Sequence, residues 1–77
     1  MTADRWEDVQ NQLIATGMDF EEVLESRPIF DSARFVTLEH HGELRVVKLE
    51  DGEILYEGVD FGKAEDTHRM AEYGRLR

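Results

Sequence analysis

The chain has no cysteine, a single proline and few lysines among its 77 residues, and each shortage narrows what it can be. Without cysteine there is no disulfide, no thiolate nucleophile and no Cys-based zinc site, and a reducing compartment fits that composition. A chain this short buries only about 60% of the surface its unfolded form exposes, so a single domain spanning 1–77, of modest stability, is expected. Long apolar runs are also missing. None approaches the roughly 18 residues of a membrane span. The opening Met1-Thr2-Ala3-Asp4-Arg5-Trp6-Glu7-Asp8 is acidic and lacks the apolar centre of a secretory signal, which makes a cytoplasmic location the expectation.

Positive charge is scarce. Nine bases stand against 18 acids, giving a net charge of −9. Phosphate recognition needs a basic surface, so direct binding to nucleic acid or anionic lipid is disfavoured. The acidity suits a basic protein partner, or solubility alone, or a salt-adapted host. It is unevenly spread: residues 1–26 hold seven acids against one base, residues 27–49 three against four, and residues 50–77 eight against four.

The composition that remains, 40% hydrophobic and 35% charged residues, is a globular balance. The pattern predicts an α+β domain with the order α-α-β-β-β-α, a three-stranded antiparallel β-meander with two N-terminal helices and one C-terminal helix. The first helix is expected from Asp4 to Ala15, with Asp4 and Glu7 at capping-box spacing, Trp6, Val9, Leu13 and Ile14 as its apolar stripe and Gly17 as its C-cap. A short second helix starts at Asp19, with Glu22 repeating the capping spacing, and Pro28 ends it. Arg27–Ser32 reads as a connector, with Ile29 and Phe30 tucked onto the core.

Residues 34–41, 44–50 and 53–57 are short, β-branched and aromatic-rich, separated by Gly42 and by Asp51-Gly52. A two-residue Asp-Gly hairpin would set Leu49 opposite Ile54 and Val47 opposite Tyr56. One sheet face would then carry Val36, Leu38, Val47, Leu49, Ile54 and Tyr56 as the core. The other would carry Phe35, Thr37, Leu44, Val46, Lys48 and Leu55. A last helix runs from Asp60 to Gly74, with Phe61, Ala64, His68 and Ala71 on one stripe and a basic tail, Arg75-Leu76-Arg77, after it.

Chemistry is thinly signalled. His40 and His41 are strand neighbours, whose side chains point to opposite faces and so do not share one ion unless the strand bulges. His68 reads as packed on the sheet. Ser26, Ser32, Thr16, Thr37 and Thr67 show no Ser-His-Asp spacing, and Gly17, Gly42, Gly52, Gly58, Gly62 and Gly74 make no phosphate loop. No catalytic residue, metal site or cofactor is assigned, and a non-enzymatic module is expected.

Two surfaces are candidates for a protein partner. Asp4, Glu7, Asp8, Glu21, Glu22 and Glu25 could present an acidic helical face to a basic nucleic-acid-binding protein and occupy its phosphate-binding surface, with salt-sensitive affinity. In size and charge alone the chain resembles small viral inhibitors of bacterial defence systems, including anti-CRISPR proteins. That resemblance implies an inhibitor of this kind. The second candidate is the sheet face of Phe35, Leu44, Val46 and Leu55, an apolar patch unless a helix covers it. The edge strands of an open meander could also pair between chains into a homodimer, a self-associating structural domain.

Overall fold

A computed structural model describes residues 3–74, with side chains described from Arg5 onward. The side chain of Asp4, with its expected capping box, and the tail Arg75-Leu76-Arg77 lie outside the described residues.

The domain is α+β with an antiparallel sheet, in the order α1 (Ala3–Ala15), α2 (Phe20–Glu25), β1 (Arg27–Asp31), β2 (Phe35–His40), β3 (Glu43–Lys48), β4 (Ile54–Gly58) and α3 (Phe61–Glu72). The sheet has four strands, not three, lined up as β1-β2-β3-β4. The added strand is the segment expected to be a connector. Arg27 pairs with Glu39 and Pro28 with Leu38, and the register then shifts so that Phe30 meets Thr37. Proline has no N–H to give a ladder, and it is tolerated because β1 is an edge strand.

Helix ends follow local chemistry. After α1, the Gly17 N–H donates to the Ile14 carbonyl and the Met18 N–H to the Leu13 carbonyl, with Gly17 at φ 100. That is a Schellman cap, and only glycine takes its left-handed position without a Cβ penalty. At α2 the Asp19 carboxylate accepts from the Glu22 N–H at 3.0 Å, and at α3 the Asp60 carboxylate accepts from the Lys63 N–H at 3.0 Å. Each satisfies a backbone donor the helix itself leaves unpartnered.

Both faces of the sheet are covered. On one, Val9 and Leu13 of α1 and Val23 of α2 pack on Val36, Leu38, Val47 and Leu49, with Trp6, Ile14 and Met18 around them. On the other, Ala64 of α3 packs on Leu44 and Val46, with Ile29, Leu55 and Tyr56 alongside. Two small residues, Ala64 and Ala71, are buried on the inner side of α3, which lets the helix sit close to the strands.

The β3–β4 register differs from expectation. The β3–β4 loop is longer than a two-residue Asp-Gly turn: the Lys48 N–H donates to the Glu53 carbonyl at 2.9 Å, and the Gly52 N–H to the Lys48 carbonyl at 2.8 Å. Val47 therefore opposes Ile54, and a bulge at Leu55 sets Tyr56 opposite Val46. One extra residue flips the rest of a strand to the other face, so Tyr56 joins the α3 side, and Ile54 stays on the first side, nearly half exposed. A bulge at Ile29 in β1 works likewise, placing Ile29 against the Leu44–Val46–Ala64 core while the adjacent Phe30 meets Phe61 at a tilt, ring centres 5.4 Å apart.

Candidate functional site

The sheet-face surface is not open. Phe35, Leu44 and Val46 are buried beneath α3 and Leu55 is half-buried. The physical reason is the stripe of α3 itself: Ala64, His68 and Ala71 must leave water, and this face is the apolar surface left to them.

The acidic residues divide into two groups. Glu7, Asp8 and Glu21 are exposed and lie in no ion pair among the described residues. Asp8 acts on Arg5 only through its longer-range field, since Arg5 is bonded to Asp31 at 3.1 Å and donates to the Ser32 carbonyl at 3.0 Å. Glu22 and Glu25 are engaged instead. Glu22 forms an ion pair with Arg45, whose guanidinium also reaches Glu43 at 2.9 Å and Glu57 at 2.8 Å. Arg45 alternates with the apolar residues of β3, so it points to the α1–α2 side and meets α2 there. One cation thus gathers carboxylates from α2, β3 and β4.

Glu25, the last residue of α2, meets both histidines of the β2–β3 hairpin. His40 Nε2 donates to Glu25 Oε1 at 3.0 Å, and His41 Nε2 lies 3.6 Å from the same oxygen. The expectation that His40 and His41 point to opposite faces is overturned. Strand β2 ends at His40, and the chain turns at His41 (φ 51) and Gly42 (φ 82), with His40 paired to Glu43. Positive φ at both central residues is the signature of a type I′ turn, and it swings the His41 ring beside His40, centroids 4.1 Å apart. Glu39 braces the turn by accepting the Gly42 N–H at 3.0 Å while Arg27 bonds its other oxygen at 2.8 Å. The hydrogen bond from His40, with the charges of both imidazoles, holds the Glu25 carboxyl below its ordinary range. Gly42 directly after the two histidines is the signal the sequence offers: once His41 belongs to the turn, strand alternation no longer separates the rings.

His68 forms the second polar constellation, buried between α3 and β2. Its Nδ1 lies 2.7 Å from Thr37 Oγ1 and its Nε2 3.1 Å from Ser32 Oγ. Ser32 Oγ also lies 3.2 Å from the Phe35 carbonyl, and the tautomer of the ring sets which hydroxyl donates to it and which accepts from it. Either tautomer gives both ring nitrogens a hydroxyl partner. Burial lowers the His68 pKa below its ordinary value, opposed by the charges of Glu72 and Asp31. Sequence spacing could not bring Ser32, Thr37 and His68 together, because the contact spans 36 residues and depends on which sheet face α3 covers.

No helix among the described residues is long and apolar enough to cross a membrane. No protein-family model, curated protein or solved structure matches this chain.

Proposed function

We propose that the chain is a non-enzymatic interaction module that binds a basic protein partner through the outer surface of α1 and α2. The observation that carries this reading is how charge is disposed. Arg5, Arg27, Arg45, Lys48 and Arg69 each lie within 4 Å of a carboxylate of the chain itself. Glu7, Asp8 and Glu21 keep exposed negative charge and lie in no ion pair among the described residues, with Asp8 reached by Arg5 only at longer range. Beside Glu21, Phe20 and Leu24 stand more than half exposed one helical turn apart. Aromatic and aliphatic anchors next to charge suit a protein surface better than free ions do. A nucleic-acid-binding protein, blocked at its phosphate-binding surface, is the sharper form of the proposal.

Affinity capture at low and high salt tests it. The expected result is a basic protein retained at low salt, released at high salt, and not captured by the triple variant Glu7→Lys/Asp8→Lys/Glu21→Lys. Empty captures at both salts, or equal capture by that variant, would overturn the reading. Self-association loses its main support here, since α3 occupies the apolar face it would use and the β1 edge carries Pro28 and a bulge.

A further inference from the structure

We infer that Glu25, His40 and His41 form a binding site for a borderline transition-metal ion, zinc(II) being the ion they suit. The three ligand atoms, one carboxylate oxygen and two imidazole nitrogens, all lie within 4.8 Å of one another. Around a tetrahedral zinc with bonds of about 2.0–2.1 Å, ligand atoms stand roughly 3.3 Å apart. Two edges of that figure are already present, at 3.0 Å and 3.6 Å, both meeting at Glu25 Oε1. The third, between the two imidazole nitrogens, is at most 4.8 Å, and the His41 ring that would close it is about three-quarters exposed at the tip of a hairpin.

The donor set selects the class of ion. Two imidazoles with one carboxylate suit zinc, nickel, cobalt or copper, whereas magnesium and calcium require oxygen cages. Three protein ligands leave one coordination position, and it faces solvent because Glu25 and His41 are both exposed. To ligate an ion through Nε2, His40 would give up the proton it shares with Glu25, so binding would release a proton.

The backbone explains how the two imidazoles come together. His41 is the one residue other than glycine with positive φ among the described residues. Histidine, like asparagine, is one of the few residues besides glycine that take such a turn position readily. Here the turn brings two adjacent imidazoles to one side, and Glu25 closes the set from the end of α2. A bound ion would tie the end of α2 to the β2–β3 hairpin. This inference is independent of the acidic-surface reading, which rests on other residues.

The test uses the full untagged chain, since a histidine tag would compete. Zinc(II) is titrated in competition with a chromophoric chelator, and cobalt(II) binding is followed by its visible absorption. One ion per chain is expected, with tetrahedral cobalt bands and a rise in Tm on adding zinc. His41→Asn keeps the turn chemistry but removes a ligand, and Glu25→Gln removes the carboxylate. Each should weaken binding by about 10- to 100-fold, at least what loss of an outer-shell partner costs, and abolish the rise in Tm. His68→Gln should bind as the original chain does. Equal binding by His41→Asn and the original chain, or no competition with the chelator at micromolar zinc, would overturn the site.

Discussion

His68 shows how one side chain can set a pH dependence for the whole fold. Its ring is 5% exposed and neutral, held by Thr37 and Ser32 and flanked by the edges of Phe30 and Phe35. Burial depresses its pKa in the folded state, and the nearby Glu72 and Asp31 carboxylates offset that only in part. Below an unfolded value of about 6.5 the unfolded chain takes up a proton that the folded chain refuses. The stability that neutral His68 contributes is therefore complete above about pH 6.5 and is lost as pH falls through the lower folded value. His68→Gln can still donate and accept toward the same hydroxyls but does not titrate. Denaturant unfolding from pH 7.5 to 5 should show the original chain losing stability faster than this variant, by at most about 1.4 kcal/mol per pH unit. Parallel curves would mean that His68 has no part in the pH response.

Elements are joined at points that a single substitution can probe. Gly52, in the β3–β4 loop, has φ +77, and a Cβ there would stand 2.5 Å from Thr16 Oγ1 and 2.8 Å from Thr16 Cβ. Thr16 cannot easily yield, because its hydroxyl donates to the Leu13 carbonyl at 2.6 Å in the last turn of α1. Gly52→Ala should cost more than the roughly 1 kcal/mol of a left-handed backbone position alone. Combining it with Thr16→Gly should recover part of that loss, so urea midpoints should show the double variant to be less destabilised than the sum of the singles. Simple additivity would mean that the loop and α1 do not touch at this point.

The same elements show what the sequence can and cannot disclose. Caps at Asp19 and Asp60, the Gly17 terminus and the stripes of α1 and α3 depend on neighbours within a few residues, and all are legible. Strand β1 is hidden because Pro28 suggests a break, and only its edge position in the sheet makes proline acceptable. The place of Tyr56 is obscured because Asp51-Gly52 promises a short turn, while Thr16, far upstream in the chain, packs against the longer loop that forms. The Glu25–His40–His41 cluster is half legible: Gly42 announces the turn, but strand alternation conceals how that turn re-aims His41. Of the acidic surface, composition gives the charge but not its neutralisation. Arg45 claims Glu22 through tertiary packing that no local pattern announces.

At the scale of the whole molecule, the question is whether salt strengthens or weakens the fold, and magnitudes decide it. The net charge of −9 is carried by a body whose extents are 28 × 24 × 23 Å. At an ionic strength of about 0.01 M the Debye length is about 30 Å, so every unpaired carboxylate repels every other across the domain; near 0.15 M it falls to about 8 Å and only neighbours interact. The opposing loss is small. Arg5–Asp31 and Arg27–Glu39 are close pairs at the surface, worth about 0–1 kcal/mol each, and contacts near 3 Å are screened far less than repulsion across the body. Sodium chloride should therefore raise Tm from low salt up to a few hundred millimolar and then have little further effect. A salt-adapted chain would keep gaining stability into the molar range, and that outcome would make host chemistry, not a partner, the source of the acidity. Glu7→Gln/Asp8→Asn/Glu21→Gln should flatten the low-salt end of the curve while raising Tm there, because it removes three negative charges that lie in no ion pair of the described fold. If this variant also loses the basic partner while the fold grows more stable, the acidic surface is held against the interest of stability, as a binding surface would be. If it binds as before, the charge serves solubility alone.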